Sequence, residues 1–173
     1  MLEVPDNWLH AQIYNVTLDE MIAIMDKALE DGYTIGWGSD VSEKGFSWKN
    51  GVAIVPDTDK KDLSGTEKEK WEKLTPAEKA AASYSFDGTA KEKVITQEMR
   101  QEGFDNFSTT DDHGMHIVGL FKDANGNKFY KVKNSWGADS GKYNGYFYAS
   151  EAFVRYKTID IQINKNALSA EMK

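Results

Sequence analysis

Cysteine is absent from the 173-residue sequence. Disulfide bonds, thiol nucleophiles and thiolate metal ligands are therefore excluded within this chain, although this absence does not locate the compartment. Long apolar runs are missing too, because no segment approaches the ~20 residues of a membrane-spanning helix. No signal peptide opens the chain, but this says nothing about export if an N-terminal half is missing, so the expectation is a soluble protein, either cytoplasmic or periplasmic.

An excess of positive charge is also lacking. The chain has 21 Lys and Arg residues against 28 Asp and Glu residues, which gives a net charge of −7. Nucleic acid and anionic membranes are disfavoured as partners, because each attracts a basic patch. With 40% hydrophobic residues and no repeat or low-complexity tract, residues 1–173 are predicted to form a single domain with a sizeable core.

Two stretches carry helix signals. Thr17 and Glu20 have the spacing of a capping box, and Gly32 is a typical residue just beyond a helix C-terminus. Between them one apolar stripe recurs at spacings of three and four, which is more typical of core packing than of a partner-binding face: Leu18, Met21, Ile22, Met25 and Leu29. Residues 57–97 are richer in balanced charge and are predicted to form a solvated helical insertion, with a second cap at Thr75.

The remaining elements are predicted to be about six short antiparallel strands, a short helix over 151–156 and a tail from 164. Residues 33–41 form a strand in which Gly36 and Gly38 indicate a bulge or a close backbone approach. Residues 128–133 alternate, so that Tyr130 and Val132 share one face. One capped helix, these strands and the insertion make the fold class α+β.

The most informative residues lie at the ends of one predicted hairpin. Asp111 to Gly114 read as a loop before a strand over 116–121, and an Asn-Gly turn leads into the strand over 128–133. A hairpin brings its outer ends together, so His113 and Asn134 are expected to be neighbours. A side-chain amide can hold an imidazole in one tautomer and orientation, as in Cys-His-Asn hydrolases.

These segments resemble the His and Asn segments of papain-like cysteine peptidases, nearest to the bleomycin hydrolase and aminopeptidase C branch. The resemblance rests on Asp112-His113-Gly114-Met115 followed by Lys133-Asn134-Ser135-Trp136-Gly137, with Gly145-Tyr146-Phe147 beyond. It implies the antiparallel, barrel-like, C-terminal half of a papain-like fold. It also implies a catalytic His113 oriented by Asn134, with Trp136 and Asp112 in support, and no cofactor.

The family nucleophile is a cysteine N-terminal to the His, which this chain does not contain. The resemblance therefore implies one wall of an active site in a cysteine aminopeptidase, acting on a peptide substrate. The partner would be a Cys-bearing N-terminal half from the same parent chain or a separate one. Alone, the chain is expected to be inactive and to expose an apolar patch that favours self-association.

Three other interpretations stay open. His116 is expected to be a packing residue, and it is the second candidate for the catalytic role. A metal site built from Asp111, Asp112, His113 and His116 is disfavoured, because no cysteine is available to complete a zinc tetrad. A catalytically inert binding or interaction domain of papain-like ancestry is the alternative function, since five Trp and eight Tyr residues could line a binding surface.

Overall fold

A computed structural model describes residues 13–58, 64–86 and 90–168. Five α-helices are assigned in these ranges: α1 Leu18–Glu30, α2 Gly65–Glu72, α3 Pro76–Ser83, α4 Gln97–Asp105 and α5 Glu151–Lys157. Seven strands accompany them: β1 Ile35–Ser39, β2 Phe46–Ser47, β3 Val52–Ala53, β4 His113–Lys122, β5 Lys128–Lys133, β6 Tyr146–Ser150 and β7 Thr158–Gln162. The described helices include none that is long and apolar enough to cross a membrane.

The strands form one sheet in the order β2-β3-β6-β5-β4-β1-β7. It is the curled half-barrel of a mixed α+β fold, which confirms the predicted fold class. Its pairings are antiparallel except for β3 with β6, where Val52 lies beside Tyr148 in a parallel pair. No sequence pattern predicts that exception, because β3 is only two residues long and its partner β6 lies far along the chain.

Helix α1 begins at the predicted capping box. The Thr17 hydroxyl accepts a hydrogen bond from the Glu20 backbone N–H, and the Glu20 carboxylate accepts one from the Thr17 N–H. The helix packs an apolar face onto the inner side of the sheet. The buried residues shared by α1 and the central strands are Ile22, Met25, Ala28, Ile35, Trp37, Met115, Ile117, Tyr130, Val132 and Phe147.

The predicted insertion contains α2 and α3, and α2 buries none of its residues. Thr75 and Glu78 form the predicted second capping box at the start of α3. Residues 87–89 of the predicted insertion lie outside the described residues, as do residues 1–12, 59–63 and 169–173. The predicted tail is wrong in part, because residues Lys165–Ala167 form a 3-10 helix and Ala167 is buried against the core.

Candidate active site

His113 and Asn134 meet at the open end of the β4–β5 hairpin. His113 is the first residue of β4, and Asn134 directly follows β5. The predicted loop at 111–114 is therefore shorter than expected, since the strand already includes His113 and Gly114. The His113 Nε2 lies 2.7 Å from the Asn134 Oδ1, which confirms the predicted contact.

The orientation of the Asn134 amide determines which ring nitrogen of His113 carries the proton. The backbone N–H of Ser135 donates to the Asn134 Oδ1 over 2.7 Å, so the oxygen of the amide faces this end of the hairpin. An oxygen in that position can only accept, and the His113 Nε2 must therefore carry its proton. The neutral ring then keeps its lone pair on Nδ1, which makes Nδ1 the basic atom.

Asn134 is held in place by the chain that follows it. Its backbone N–H donates to the carbonyl of Gly145 over 2.9 Å, so the loop 135–145 returns to the end of β5. Gly145 has a φ of +86°, and a Cβ there would lie 2.9 Å from the Gly137 carbonyl oxygen, so this crossing requires glycine. The Asn134 side chain is buried, and its Nδ2 has no hydrogen-bond partner in the part of the chain that the structure describes.

Trp136 covers the imidazole. Its ring centroid lies 5.1 Å from that of His113, with 32° between the planes. The indole is held edge-on by Trp48 at 5.2 Å and by Phe46 at 5.9 Å. Trp136 thus shields one side of the His–Asn pair. Because 46% of its surface is exposed, it also presents apolar surface to solvent.

The Asp112 side chain contacts the segment that follows β1. Its carboxylate accepts hydrogen bonds from the backbone N–H groups of Val41, at 2.9 Å, and Ser42, at 3.2 Å, and from the Ser42 hydroxyl. These contacts tie the start of β4 to residues 41–42. A supporting role beside the site, as the resemblance implies, stays a prediction.

A buried lysine, which no sequence pattern indicates, anchors the same region. Lys157 has 3% of its side chain exposed and pairs with the carboxylates of Asp40, at 3.4 Å, and Glu43. The same Asp40 Oδ2 also accepts a hydrogen bond from the Thr110 N–H at 3.3 Å, and the Oδ1 accepts one from the Ser42 N–H at 2.9 Å. Two carboxylates compensate the buried ammonium, and the cluster fixes the segment that leads into His113.

His116 is not a packing residue, and that prediction is wrong. It is exposed on the outer face of β4, and its Nε2 lies 2.7 Å from the Thr34 hydroxyl. Asn134 therefore contacts His113 rather than His116. Among the described residues, no group of three or more His, Asp or Glu side chains is placed to hold a metal ion.

A groove of about 590 Å³ adjoins the pair on the outer face of β4, β1 and β7. Its end reaches Asn134 and Ser135. We call it the glycine groove after the residues of its floor and side: Gly36, Gly38, Gly114, His116, Asp160 and Gln162. A second depression, along α4, is lined by polar and acidic residues and lies away from the His–Asn pair.

Comparisons with known proteins identify a family for this chain. The model of the Peptidase C1-like family matches residues 79–173, more than half of the chain. Aminopeptidase C of Lactococcus lactis subsp. cremoris is 43% identical over 60 residues, which cover 34% of this chain and 14% of that protein. Aminopeptidase C of Streptococcus thermophilus is 32% identical over 91 residues, covering 52% of this chain and 20% of that protein.

The same likeness extends to a solved structure. The crystal structure of PepW from Lactobacillus rhamnosis HN001 superposes with a TM-score of 0.58 and 24% identity, covering 91% of this chain and 29% of that one. At this identity the likeness concerns the fold. The chain spans a fifth or less of the curated relatives it matches, and less than a third of PepW.

Proposed function

This chain belongs to the Peptidase C1-like family, and from that premise we propose that it supplies the general base for thiol-dependent hydrolysis of peptides. His113 is the base and Asn134 orients it. The nucleophilic thiol comes from a Cys-bearing N-terminal half, because this chain has no cysteine. The single observation that carries the proposal is the 2.7 Å contact between the His113 Nε2 and the Asn134 Oδ1.

The chemistry follows from the tautomer. The free Nδ1 of His113 takes the proton of the thiol, and the resulting imidazolium stabilises the thiolate, which lowers the thiol pKa. The thiolate attacks the peptide carbonyl and the C–N bond breaks, while the imidazolium gives its proton to the leaving amine. His113 then activates water to release the acyl group and regenerate the thiol.

Asn134 supports each of these steps without touching the substrate. Its Oδ1 accepts the Nε2–H bond in both protonation states of the ring, so the imidazole keeps its orientation through the cycle. Trp136 keeps water from one side of that bond. The Nδ2 of Asn134 is buried within this chain and has no acceptor among the described residues; an unpaired buried donor costs about 1–3 kcal/mol.

Recombination of the two halves tests the proposal. The purified chain is assayed with fluorogenic aminoacyl amides under reducing conditions, alone and mixed with a separately expressed Cys-bearing half. We expect no thiol-dependent turnover from the chain alone, turnover from the mixture, and its loss with His113→Ala. The matched control is His116→Ala, which removes the other imidazole of the hairpin and is expected to leave turnover unchanged.

Two results would contradict the proposal. Turnover by the chain alone that depends on His113 would reveal a different nucleophile. If the two halves bind each other but His113→Ala gives the same turnover as wild type, the Cys-bearing half alone accounts for the turnover. That result would favour the inert interaction domain.

Asn134→Ala is expected to reduce turnover by about 10²-fold or more, because the base loses its fixed orientation.

A further inference from the structure

The segment 106–112, which connects α4 to His113, belongs to no helix or strand. Its backbone therefore has no regular hydrogen-bond ladder, and its position depends on contacts from other elements. His113 is the first residue of β4 and pairs with Ser39 at the end of β1. The sheet thus holds His113 on one side, and the other side follows the segment 106–112.

Lys157, the last residue of α5, supplies contacts to this segment. Its ammonium donates to the Ser108 carbonyl over 2.8 Å and to the Thr109 hydroxyl over 3.1 Å. An ammonium has three protons, so two of them bind the segment and the third is left for the Glu43 carboxylate. Because the lysine side chain is buried, water competes little for these contacts.

The Asp40 carboxylate links the same lysine to a third residue of the segment. Its Oδ2 lies 3.4 Å from the Lys157 Nζ and accepts a hydrogen bond from the Thr110 N–H at 3.3 Å. The Asp40 N–H in turn donates to the Lys157 carbonyl over 3.0 Å. Ser108, Thr109 and Thr110 are therefore all held by contacts that depend on Lys157, either directly or through Asp40.

The backbone of Lys157 also supports the sheet side of His113. The neighbouring residue Thr158 pairs with Ser39 on β1, and Ser39 pairs with His113 on β4. The Ser39 hydroxyl donates to the Lys157 carbonyl over 3.0 Å. Both sides of His113 are thus connected to one residue.

Stability alone does not require a charge at this position. Burying an ammonium with its carboxylates has a desolvation cost, and apolar residues of similar volume often replace a buried ion pair without loss of stability. A methionine would fill the space of the Lys157 side chain, but it could not donate to Ser108 or Thr109. The hydrogen bonds of the ammonium, rather than its volume, are therefore what Lys157 contributes to the segment before His113.

We propose that Lys157 is a positioning residue that sets the place of the His113 ring against Asn134 and Trp136. It acts through the segment 106–112 rather than on the substrate. This inference rests on the proposed function for its effect on turnover, whereas the position of the ring is measurable in the chain alone.

The ring protons of His113 report that position. The Trp136 ring centroid lies 5.1 Å from that of the imidazole, so the ring current of the indole displaces the His113 proton shifts from their free values. We expect Lys157→Met to remove this displacement in NMR spectra of the folded chain. Lys128→Met is the matched control, because Lys128 also pairs with two carboxylates, at the opposite end of β5 from Asn134. It is expected to leave the His113 protons unchanged.

A triple variant keeps the test decisive if Lys157→Met alone does not fold, because that change leaves two carboxylates without their cation. Asp40→Asn and Glu43→Gln are added to it, so the cluster has no charge left, while the donor to Ser108 and Thr109 is still missing. We expect the triple variant to fold, with a denaturant midpoint near that of wild type, and to show the same loss of the ring-current displacement.

Turnover by the mixture with the Cys-bearing half gives a second measurement. A misplaced base slows the chemical step but leaves the contacts with the substrate in place. We therefore expect kcat per folded complex to be about 10- to 10²-fold lower for the Lys157 variants, with KM nearly unchanged. Lys128→Met is expected to change neither constant.

The proposal is overturned if the His113 protons keep their wild-type shifts in a folded Lys157 variant, if Lys128→Met changes them equally, or if the triple variant does not fold. A fall in turnover that is carried by KM alone also contradicts it. The NMR results are independent of turnover. A ring that moves in the variants while the wild-type mixture shows no turnover removes only the proposed function, and a ring that stays in place while the mixture hydrolyses peptides removes only this inference.

Discussion

At the scale of single residues, the candidate site depends on one amide oxygen. The Asn134 Oδ1 lies between two donors, the His113 Nε2–H and the Ser135 N–H, each at 2.7 Å. Exchange of the amide oxygen and nitrogen would bring two N–H groups together at Ser135. The hydrogen-bond network therefore selects one amide orientation, and through it the Nδ1 lone pair that the proposed chemistry uses.

This selection predicts a tautomer that can be measured. In the wild-type chain at alkaline pH, the 15N shifts of the ring are expected to show His113 protonated at Nε2 alone. After Asn134→Ala the two tautomers are expected to mix, because the acceptor is gone. His116 serves as the internal control, since its partner Thr34 is unchanged and its shifts should stay constant. A His113 ring that is already mixed in the wild-type chain would contradict the assignment.

A buried carboxylate predicts a pH effect on stability. Burial raises the pKa of Glu92, although the Ser150 hydroxyl and the Val55 N–H donate to it. Above the ordinary carboxyl pKa the folded state then binds more protons than the unfolded state, so this residue makes stability fall as pH rises. Glu92→Gln removes that fall. We expect the free energy of unfolding of the variant to improve relative to wild type between pH 4 and pH 7, measured by urea titration.

Glu78 is the control of opposite sign. Hydrogen bonds from the Thr75 N–H and hydroxyl lower its pKa, so its contribution is present above the ordinary carboxyl pKa and is lost as pH falls. Glu78→Gln should therefore lose stability relative to wild type as pH rises. If both variants change in the same direction with pH, the assignment of Glu92 as the destabilised carboxylate is wrong.

At the scale of elements, a single bulge decides which histidine meets Asn134. Near the turn Lys122 pairs with Lys128, but toward the open end His116 pairs with Lys133, because the register shifts between Ile117 and Gly119. Without the extra residue that the bulge adds to β4, the register near the turn would continue and would place His116 opposite Asn134. The bulge at Val118 instead puts Met115 and Ile117 on the inner face, in line with His113.

The position of this bulge could not be predicted from the sequence, whereas other elements could. The capping boxes at Thr17 and Thr75 and the β4–β5 hairpin follow from local spacing, and the structure has each of them. The choice between His113 and His116 needs the register, which alternation alone does not specify. The hairpin ends favoured His113 as the neighbour of Asn134, and the resemblance to a known family favoured the same residue, with His116 kept as the second candidate.

The β2–β3 ribbon offers a steric prediction at the same scale. A Cβ on Gly45 would lie 1.9 Å from the carbonyl oxygen of Ile54. Because this oxygen belongs to the backbone, it cannot move away without displacing the chain. Gly45→Ala is expected to lower the free energy of unfolding by about 3 kcal/mol or more. Gly119→Ala is the control, because its Cβ meets nothing within 4 Å, and it should be neutral or stabilising by about 0.5 kcal/mol. Equal midpoints of denaturant unfolding for the two variants would refute the close approach.

At the scale of the whole molecule, the described residues form a half-barrel around one core, with the candidate site at one end of its sheet. The His–Asn pair, the Trp136 lid and the glycine groove meet at one end of the sheet, and all of them are partly open to solvent. Trp136 and Tyr143 leave 46% and 40% of their surfaces exposed there. Self-association or pairing through this surface stays a prediction.

The reactivity of the partner thiol tests the central claim most directly. The Cys-bearing half is treated with iodoacetamide over pH 4–10, alone and with an excess of this chain. The account predicts that the wild-type chain makes the thiol react as a thiolate well below its ordinary pKa of about 8.5, and that His113→Ala restores the ordinary profile while His116→Ala does not. If the alkylation profile is the same with the wild-type and His113→Ala chains while both bind the Cys-bearing half, His113 is not the base and the account is wrong.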